Sequence, residues 1–434
     1  MTVFKLFISH SSRLDDPEIS NDPAQNPNLK LLLDVIQDIK NGYGDAIEIL
    51  VDKDEKGLPA GHDWEKRLNE WLAECHAAVI IFSKRAIENS NWVKKEATIL
   101  SWRRELGKNF ILIPVLLQGQ TNPDDLENDL FGTLRISKDQ CIRDVTNSQE
   151  ILNGIKNALG EKETLQTKIR QTPFDKLQAV VAKLLAQNSD SDTLVDAWDE
   201  LADEDKPLWD PNAITQFSQV LTRYLLRNNA NSLVNFTTVL NKIRPKVKQD
   251  NAKEIFEYVR SLWVDAKAAG CIPQSKMHQK FLAQNGNQLP NFTFERYAER
   301  AWPMDNNYKI VSTSSTEENK LLEQIRAEFK QSQRIALTPE QCDARINGYQ
   351  RQIVIYMPAK TQDGGGLLDD PSLRTSLRQK YPKAIFVLGT GEQLPEVVAD
   401  DVAKVEPSLD VQIEFDQMIA EDNTEDFLKD FYAN

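Results

Sequence analysis

Two residues in this chain have the types and spacing of a chemical pair: Trp92 and Glu96, in the run SNWVKKE. Positions four apart share one face of a helix, so an indole and a carboxylate project together. A carboxylate can stabilise a developing positive charge, and an indole offers a flat face that attracts cations. The pair follows an apolar run, Ala77 to Phe82, that reads as a buried strand closed by Ser83. Its helix therefore starts just beyond the carboxyl end of a strand, the edge of an α/β sheet where ligands bind. Taken alone, a glutamate beside Lys94 and Lys95 is ordinarily a solvated helix residue, and a tryptophan is ordinarily core.

The elements that must position the pair alternate in type. Val3 to Ser9 is a first strand, ending in His10 and Ser11, and a loop rich in Asp, Asn and Pro follows. Leu29, Leu32, Leu33, Ile36 and Ile39 recur at helical spacing, with Gly42 as the expected stop. Ala46 to Val51 is a second strand with Asp52 at its end; a charged loop carries Gly57, Pro59 and Gly61 to a helix marked by Trp64, Leu68, Trp71 and Leu72. Phe110 to Leu117 is a fourth strand, a weaker one lies near Gln140 to Arg143, and Ser148 to Leu159 closes the unit as a helix. Strands alternating with helices imply a parallel sheet covered on both faces.

Four features, in this order and spacing, resemble the TIR domain family: KLFISHSS, DKDEKGLPAGHDW, AAVIIFS and SNWVKKE. The resemblance spans residues 1–160 and implies a flavodoxin-like α/β fold. Many TIR domains hydrolyse NAD at the nicotinamide–ribose bond, and the family's catalytic glutamate lies in Trp-x-x-x-Glu, which maps onto Trp92 and Glu96. The family's loop after the second strand maps onto Asp52 to Trp64, with Gly61 as its glycine; the residues after the first strand map onto His10 and Ser11, and the end of the third strand onto Ser83. The resemblance thus implies Glu96 as the catalytic residue and Trp92, Asp52, Gly61, Trp64, His10, Ser11 and Ser83 as substrate contacts. NAD is then a substrate, and no cofactor is expected. Loss of nicotinamide leaves an oxocarbenium-like ribose. The leaving group is already a cationic pyridinium, so one carboxylate can suffice. The family alternatives are a non-enzymatic adaptor, signalling by TIR–TIR assembly, and an enzyme that makes a cyclic ADP-ribose signal.

Composition narrows the class. A net charge of -14 argues against bulk nucleic-acid binding. The four cysteines, Cys75, Cys141, Cys271 and Cys342, are far apart and form no CxxC, as expected of reduced thiols in a cytoplasmic protein. Four histidines, no two at ligand spacing, argue against a metal site. His62 reads as exposed loop and His76 as structural. No apolar run is long enough to span a membrane, and the N-terminus lacks a signal-peptide pattern.

Residues 161–171 read as a linker and 172–270 as a helical domain, its faces set by Phe174 to Leu185, Leu194 to Leu201, Ile214 to Leu225, Leu233 to Ile243 and Ile255 to Trp263, with Gly270 as a stop. Residues 271–434 read as a second, smaller α/β domain: a possible helix at Phe292 to Trp302, strands at Tyr308 to Val311, Ile353 to Met357, Ala384 to Leu388 and Val411 to Phe415, and a helix at Glu317 to Gln331. The glycine run Asp363 to Gly366 lacks the Gly-Lys-Ser/Thr ending of a phosphate-binding loop and reads as a loop. The acidic last forty-odd residues end in an apolar group that suits a docked helix. By family analogy the expectation is a homo-oligomer assembled through TIR domains, released by a protein or nucleotide trigger sensed at the C-terminal region, and acting as an anti-phage effector.

Overall fold

A computed structural model describes residues 3–11, 24–51, 64–106, 110–127, 141–186, 213–226, 280–285, 308–333, 337–349, 352–358, 367–391 and 394–405, with a few isolated positions between them. The helices expected at Leu194 to Leu201, Leu233 to Ile243, Ile255 to Trp263 and Phe292 to Trp302, the strand at Val411 to Phe415, the glycine run and the acidic terminus lie outside these residues, apart from isolated positions. The chain divides into two compact units, residues 1–126, 134–263 and 415–434 in one and 127–133 with 264–414 in the other.

In the first unit β1 (Phe4–Ser9) leads to α1 (Pro27–Tyr43), β2 (Ile47–Leu50), α2 (Trp64–Glu74), β3 (Ala77–Phe82), α3 (Lys84–Glu88), α4 (Asn91–Leu106), β4 (Ile111–Leu117), α5 (Pro123–Glu127), β5 (Ile142–Val145) and α6 (Ser148–Leu159). The sheet order is β2-β1-β3-β4-β5, all parallel. This is the flavodoxin-like arrangement. All six residues of β3 are buried, as a central parallel strand covered on both faces requires. One face packs against α1 and α6, with Leu32, Val35, Ile36, Ile39, Ile151 and Ile155 in a common core. The other carries α2 and α4. α1 is capped by Asn26, whose Oδ1 accepts from Leu29 N at 3.1 Å. It runs through Gly42 and stops at Gly44, whose φ of 55° lies in the left-handed region glycine tolerates.

Residues 162–186 and 213–226 belong to this unit and pack on it. A 3-10 segment, Lys162–Lys168, buries Leu165 in the core shared by α1 and α6. The apolar faces expected around 174–185 and 214–225 form α7 (Pro173–Ala186) and α8 (Ile214–Leu226), and both pack on α2. Ala269, Gly270 and Ile272 are all helical, so the chain does not stop at Gly270.

The second unit holds β6 (Phe281–Gln284), β7 (Tyr308–Ser312), α9 (Glu318–Gln333), α10 (Pro339–Asn347), β8 (Gln352–Pro358), α11 (Pro371–Lys380), β9 (Ile385–Gly389) and β10 (Val402–Val405). Its five parallel strands lie in the order β10-β6-β9-β8-β7. One face is packed by α9, α10 and α11 through Leu321, Ile325, Phe329, Ile346, Leu373 and Leu377. Ion pairs fix these helices. Arg326 chelates Asp343 at 2.9 and 2.7 Å, Tyr381 Oη donates to Asp343 at 2.6 Å, and Lys380 approaches it at 2.9 Å. Burial alone would raise the Asp343 carboxyl, but these bonds overcome it and hold it at about 2. Among the described residues no helix is long and apolar enough to cross a membrane.

His76 is structural, as expected. Its Nδ1 accepts from Lys5 N at 2.9 Å, its own N donates to Lys5 O at 2.8 Å, and its ring stacks on Phe4. Burial pulls its pKa down to about 4, so the folded protein holds it neutral where the unfolded chain would already be charged. Stability is therefore complete above about pH 6.5 and falls as pH drops toward 4, by up to about 3 kcal/mol. Denaturant melts between pH 7 and pH 4 should show this slope in the parent protein and a shallower one in His76→Gln; equal slopes would refute the assignment.

Candidate functional site

The chain leaves β1 toward β2 and leaves β3 and β4 in the opposite direction. The reversal falls between β1 and β3, which are hydrogen-bonded neighbours with Ser9 opposite Ile80. In parallel sheets the carboxyl ends of two such strands flank the ligand crevice. His10 and Ser11 leave the end of β1, both half-buried, and Ser83 leaves the end of β3. The crevice edge thus brings these three sequence-predicted positions to neighbouring strand ends.

Glu96 sits in α4, which packs against β1, β3 and β4, and only 8% of its surface is exposed. It is not the solvated helix residue that its lysine neighbours suggest. Those neighbours are themselves fully covered, Lys94 and Lys95 each at 0% exposure. Trp92, one turn before Glu96, is half-buried, and the Lys95 ammonium lies 5.0 Å from the centre of its ring. One indole face therefore already hosts a cation, which shows the electrostatic character of the platform. Ser90 begins the helix, its Oγ accepting from Val93 N at 3.2 Å.

Ser83 is committed locally. Its Oγ accepts from Ala86 N at 3.2 Å and caps α3, a short helix that sequence periodicity did not indicate. Asp52 and Gly61 lie outside the described residues; Trp64 opens α2, but its side chain lies outside them too.

Residues that motif reasoning missed complete the frame. Thr121, after β4, donates its Oγ1 to Phe82 O at 3.1 Å, and Gln120 exchanges amide bonds of 3.0 and 3.4 Å with Asn28 at the start of α1. These bonds tie the loop after β4 to the end of β3 and to α1 along the same sheet edge. Arg103 anchors α4. It lies seven residues after Glu96, two turns along the same side of the helix, and only 5% exposed. Its guanidinium donates to Leu72 O and Cys75 O, each at 2.6 Å, and to Cys75 Sγ at 2.8 Å, and covers the Phe110 ring at 4.2 Å. Those carbonyls are the C-terminal end of α2, where a cation meets the negative pole of the helix. Burial pulls the Arg103 pKa down, opposed by Cys75 and Asp175. In the sequence Arg103 reads only as a basic residue in the last turn of its own helix.

On its other side α2 is gripped by α8. Arg223 pairs with Glu70 at 3.0 Å and Glu74 at 3.8 Å and lies over the Phe174 ring of α7. Arg67 also pairs with Glu70 at 2.6 Å, and Lys5 of β1 with Glu74. No group of His, Cys, Asp and Glu able to hold a metal occurs among the described residues.

Residues 43–146 match the family model described as TIR domain. The match covers β2 to β5 and includes Trp92, Glu96, Ser83 and the stretch Asp52 to Trp64; His10 and Ser11 precede it. No curated protein matches the chain.

Replacing Arg103 by Met leaves the terminal carbonyls of α2 buried without donors. The expected loss is about 3 kcal/mol in denaturant unfolding, with Arg103→Lys recovering part of it. An unchanged midpoint in Arg103→Met would show that α4 does not depend on this anchor.

Proposed function

With a TIR domain matched over residues 43–146, we propose that this chain is an NAD glycohydrolase. The observation that carries the reading is the Trp92–Glu96 pair, set at the start of α4 beside the carboxyl ends of β1 and β3. In this reading the bond between ribose C1′ and the nicotinamide nitrogen breaks, its electron pair leaving with the ring. Water adds at C1′ to give ADP-ribose and releases a proton. Glu96 holds the ribose hydroxyls and stabilises the oxocarbenium-like carbon. Trp92 stacks on the pyridinium, and no metal is needed. His10, Ser11, Ser83, Asp52, Gly61 and Trp64 are the proposed contacts for the rest of the dinucleotide.

The Lys95 ammonium over the indole bears on regulation. A pyridinium and an ammonium compete for the same electron-rich face, so a cationic ring using that face displaces Lys95. This supports a site that is completed by assembly of TIR domains, which shifts a population toward the competent form. We place the chain in the cytoplasm as a homo-oligomer released by a trigger acting on the region beyond the TIR domain. In a bacterial cell, NAD loss of this kind serves abortive defence against phage.

The same lysine favours the second reading, a non-enzymatic adaptor in which the pair is a packing feature. A cyclising enzyme would use the same residues and differ in product. The decisive experiment follows nicotinamide release from NAD by the full chain over a range of association states, with product chromatography. Glu96→Gln should lower the rate about 10²- to 10³-fold while the fold is retained. Full activity in Glu96→Gln would remove Glu96 from the mechanism, and no turnover in any association state would favour the adaptor.

A further inference from the structure

The second sheet has a reversal of its own. The chain leaves β6 for the far edge strand β7, whereas β7, β8 and β9 each hand on to a strand in the opposite direction. The reversal falls at the adjacent pair β6 and β9, whose carboxyl ends are where a parallel sheet accepts a ligand. Alternation along the strands decides which side chains meet there. Phe281, Ala283, Ile355, Met357, Phe386 and Leu388 belong to the core under α9, α10 and α11. The opposite face carries Leu282, Gln284, Val354, Tyr356, Val387 and Gly389. All are apolar or glycine except Gln284 and Tyr356, which stand toward its carboxyl edge.

Gln284 is 2% exposed, and neither Oε1 nor Nε2 has a hydrogen-bond partner among the described residues. The next residue, Asn285, adds a buried Oδ1 in the same condition. Two main-chain carbonyls nearby are satisfied. Gln284 O accepts from Thr390 N at 2.9 Å and Thr390 Oγ1 at 3.2 Å, and Tyr356 O accepts from Thr313 N at 2.9 Å and Oγ1 at 3.1 Å. Gly389 pairs with Gln284 in register, and the Tyr356 ring lies across it so closely that a Cβ there would come within 1.7 Å of Tyr356 Oη. The glycine thus lets the phenol reach along the face toward the strand that carries the amide. Burial pushes the Tyr356 hydroxyl up, so it stays protonated at neutral pH. A buried amide without partners opposes folding, and a leucine would fill the position as Leu282 does. A polar group kept against its local environment marks a functional position.

We propose that the carboxyl edge of β6 and β9 binds a planar heterocycle with a hydrogen-bond donor and acceptor side by side, read by the Gln284 amide. A carboxamide presents one donor and one acceptor in a plane, and its complement is the edge of a nucleobase or a ring-borne amide such as nicotinamide. Among the described residues, Gln284, Tyr356 and Thr390 on these strands and strand ends carry no charge at neutral pH, which favours a neutral ligand. This inference does not depend on the chemistry of Glu96.

The test is isothermal titration calorimetry of the full chain with adenosine, guanosine, cytidine, uridine and nicotinamide in separate arms, which also tell the nucleobase from the free amide. One arm should show a binding event that Gln284→Leu weakens at least about tenfold. The ligand-free Gln284→Leu protein should melt at or above the parent's temperature, because the substitution removes an unpaired amide. The proposal fails if no arm binds up to millimolar concentration, if Gln284→Leu binds as the parent does, or if that variant melts lower, which would make the amide a structural group.

Discussion

The candidate site depends on one buried cation. The acceptors of Arg103 are the terminal carbonyls of α2 and the Cys75 sulfur, and its flat side rests on Phe110. A guanidinium is always charged, and a charge taken out of water must be compensated by the groups around it. Here the helix end supplies compensation through several partial charges, and the Asp175 carboxylate adds to it. The geometry is demanding, because the donors must meet carbonyls whose directions are set by α2. α4 therefore cannot rotate or slide without stranding either the guanidinium or the carbonyls. Trp92 and Glu96 lie two to three turns from Arg103 on the same helix and inherit that position.

α2 in turn is held from several directions. Glu70 and Glu74 lie on one stripe of the helix at a spacing of four, and between them they meet Arg67, Lys5 of β1 and Arg223 of α8. Each pair at a half-exposed surface contributes little. Their joint effect is positional: strand, helix and the C-terminal helices converge on two carboxylates. Residues 162–186 and 213–226 are thereby part of the support of the first sheet, through Leu165 in its core and α7 and α8 against α2. The second unit uses the same device. Arg374, 1% exposed, chelates Asp401 and donates to Leu367 O and Leu368 O, fixing α11 beside the turn that enters β10.

Much of the fold was legible before any coordinates. β1, β3, β4 and α6 follow from apolar runs and helical spacing within a residue or two, because their burial is continuous enough to imprint a period. β6 and β10 were not legible. Unlike the equally short β2, they are set off by no apolar run that distinguishes them from loop, and pairing with β9 and with each other makes them strands. The helix ends at Gly44 and not at Gly42 for a related reason: either glycine is permitted to end a helix, and the buried fit of Tyr43 against the core decides between them.

For the site, the residues and their spacing determined by themselves that Trp92 and Glu96 share a helix face at the edge of a parallel sheet. That follows from a 3.6-residue period and a preceding buried strand, both local properties. Only the tertiary structure decided that Glu96 is shielded, that Lys94 and Lys95 are covered with it, and that Lys95 covers the indole. Exposure is a property of what packs opposite, and α4 meets α2 and α3 as well as β1, β3 and β4, elements spread through the unit. The roles of Arg103, Gln120, Thr121 and Arg223 belong to the same class: each acts on a partner 30 to more than 150 residues away. No local pattern records such a contact, because hydrogen bonds between distant segments leave composition and period unchanged.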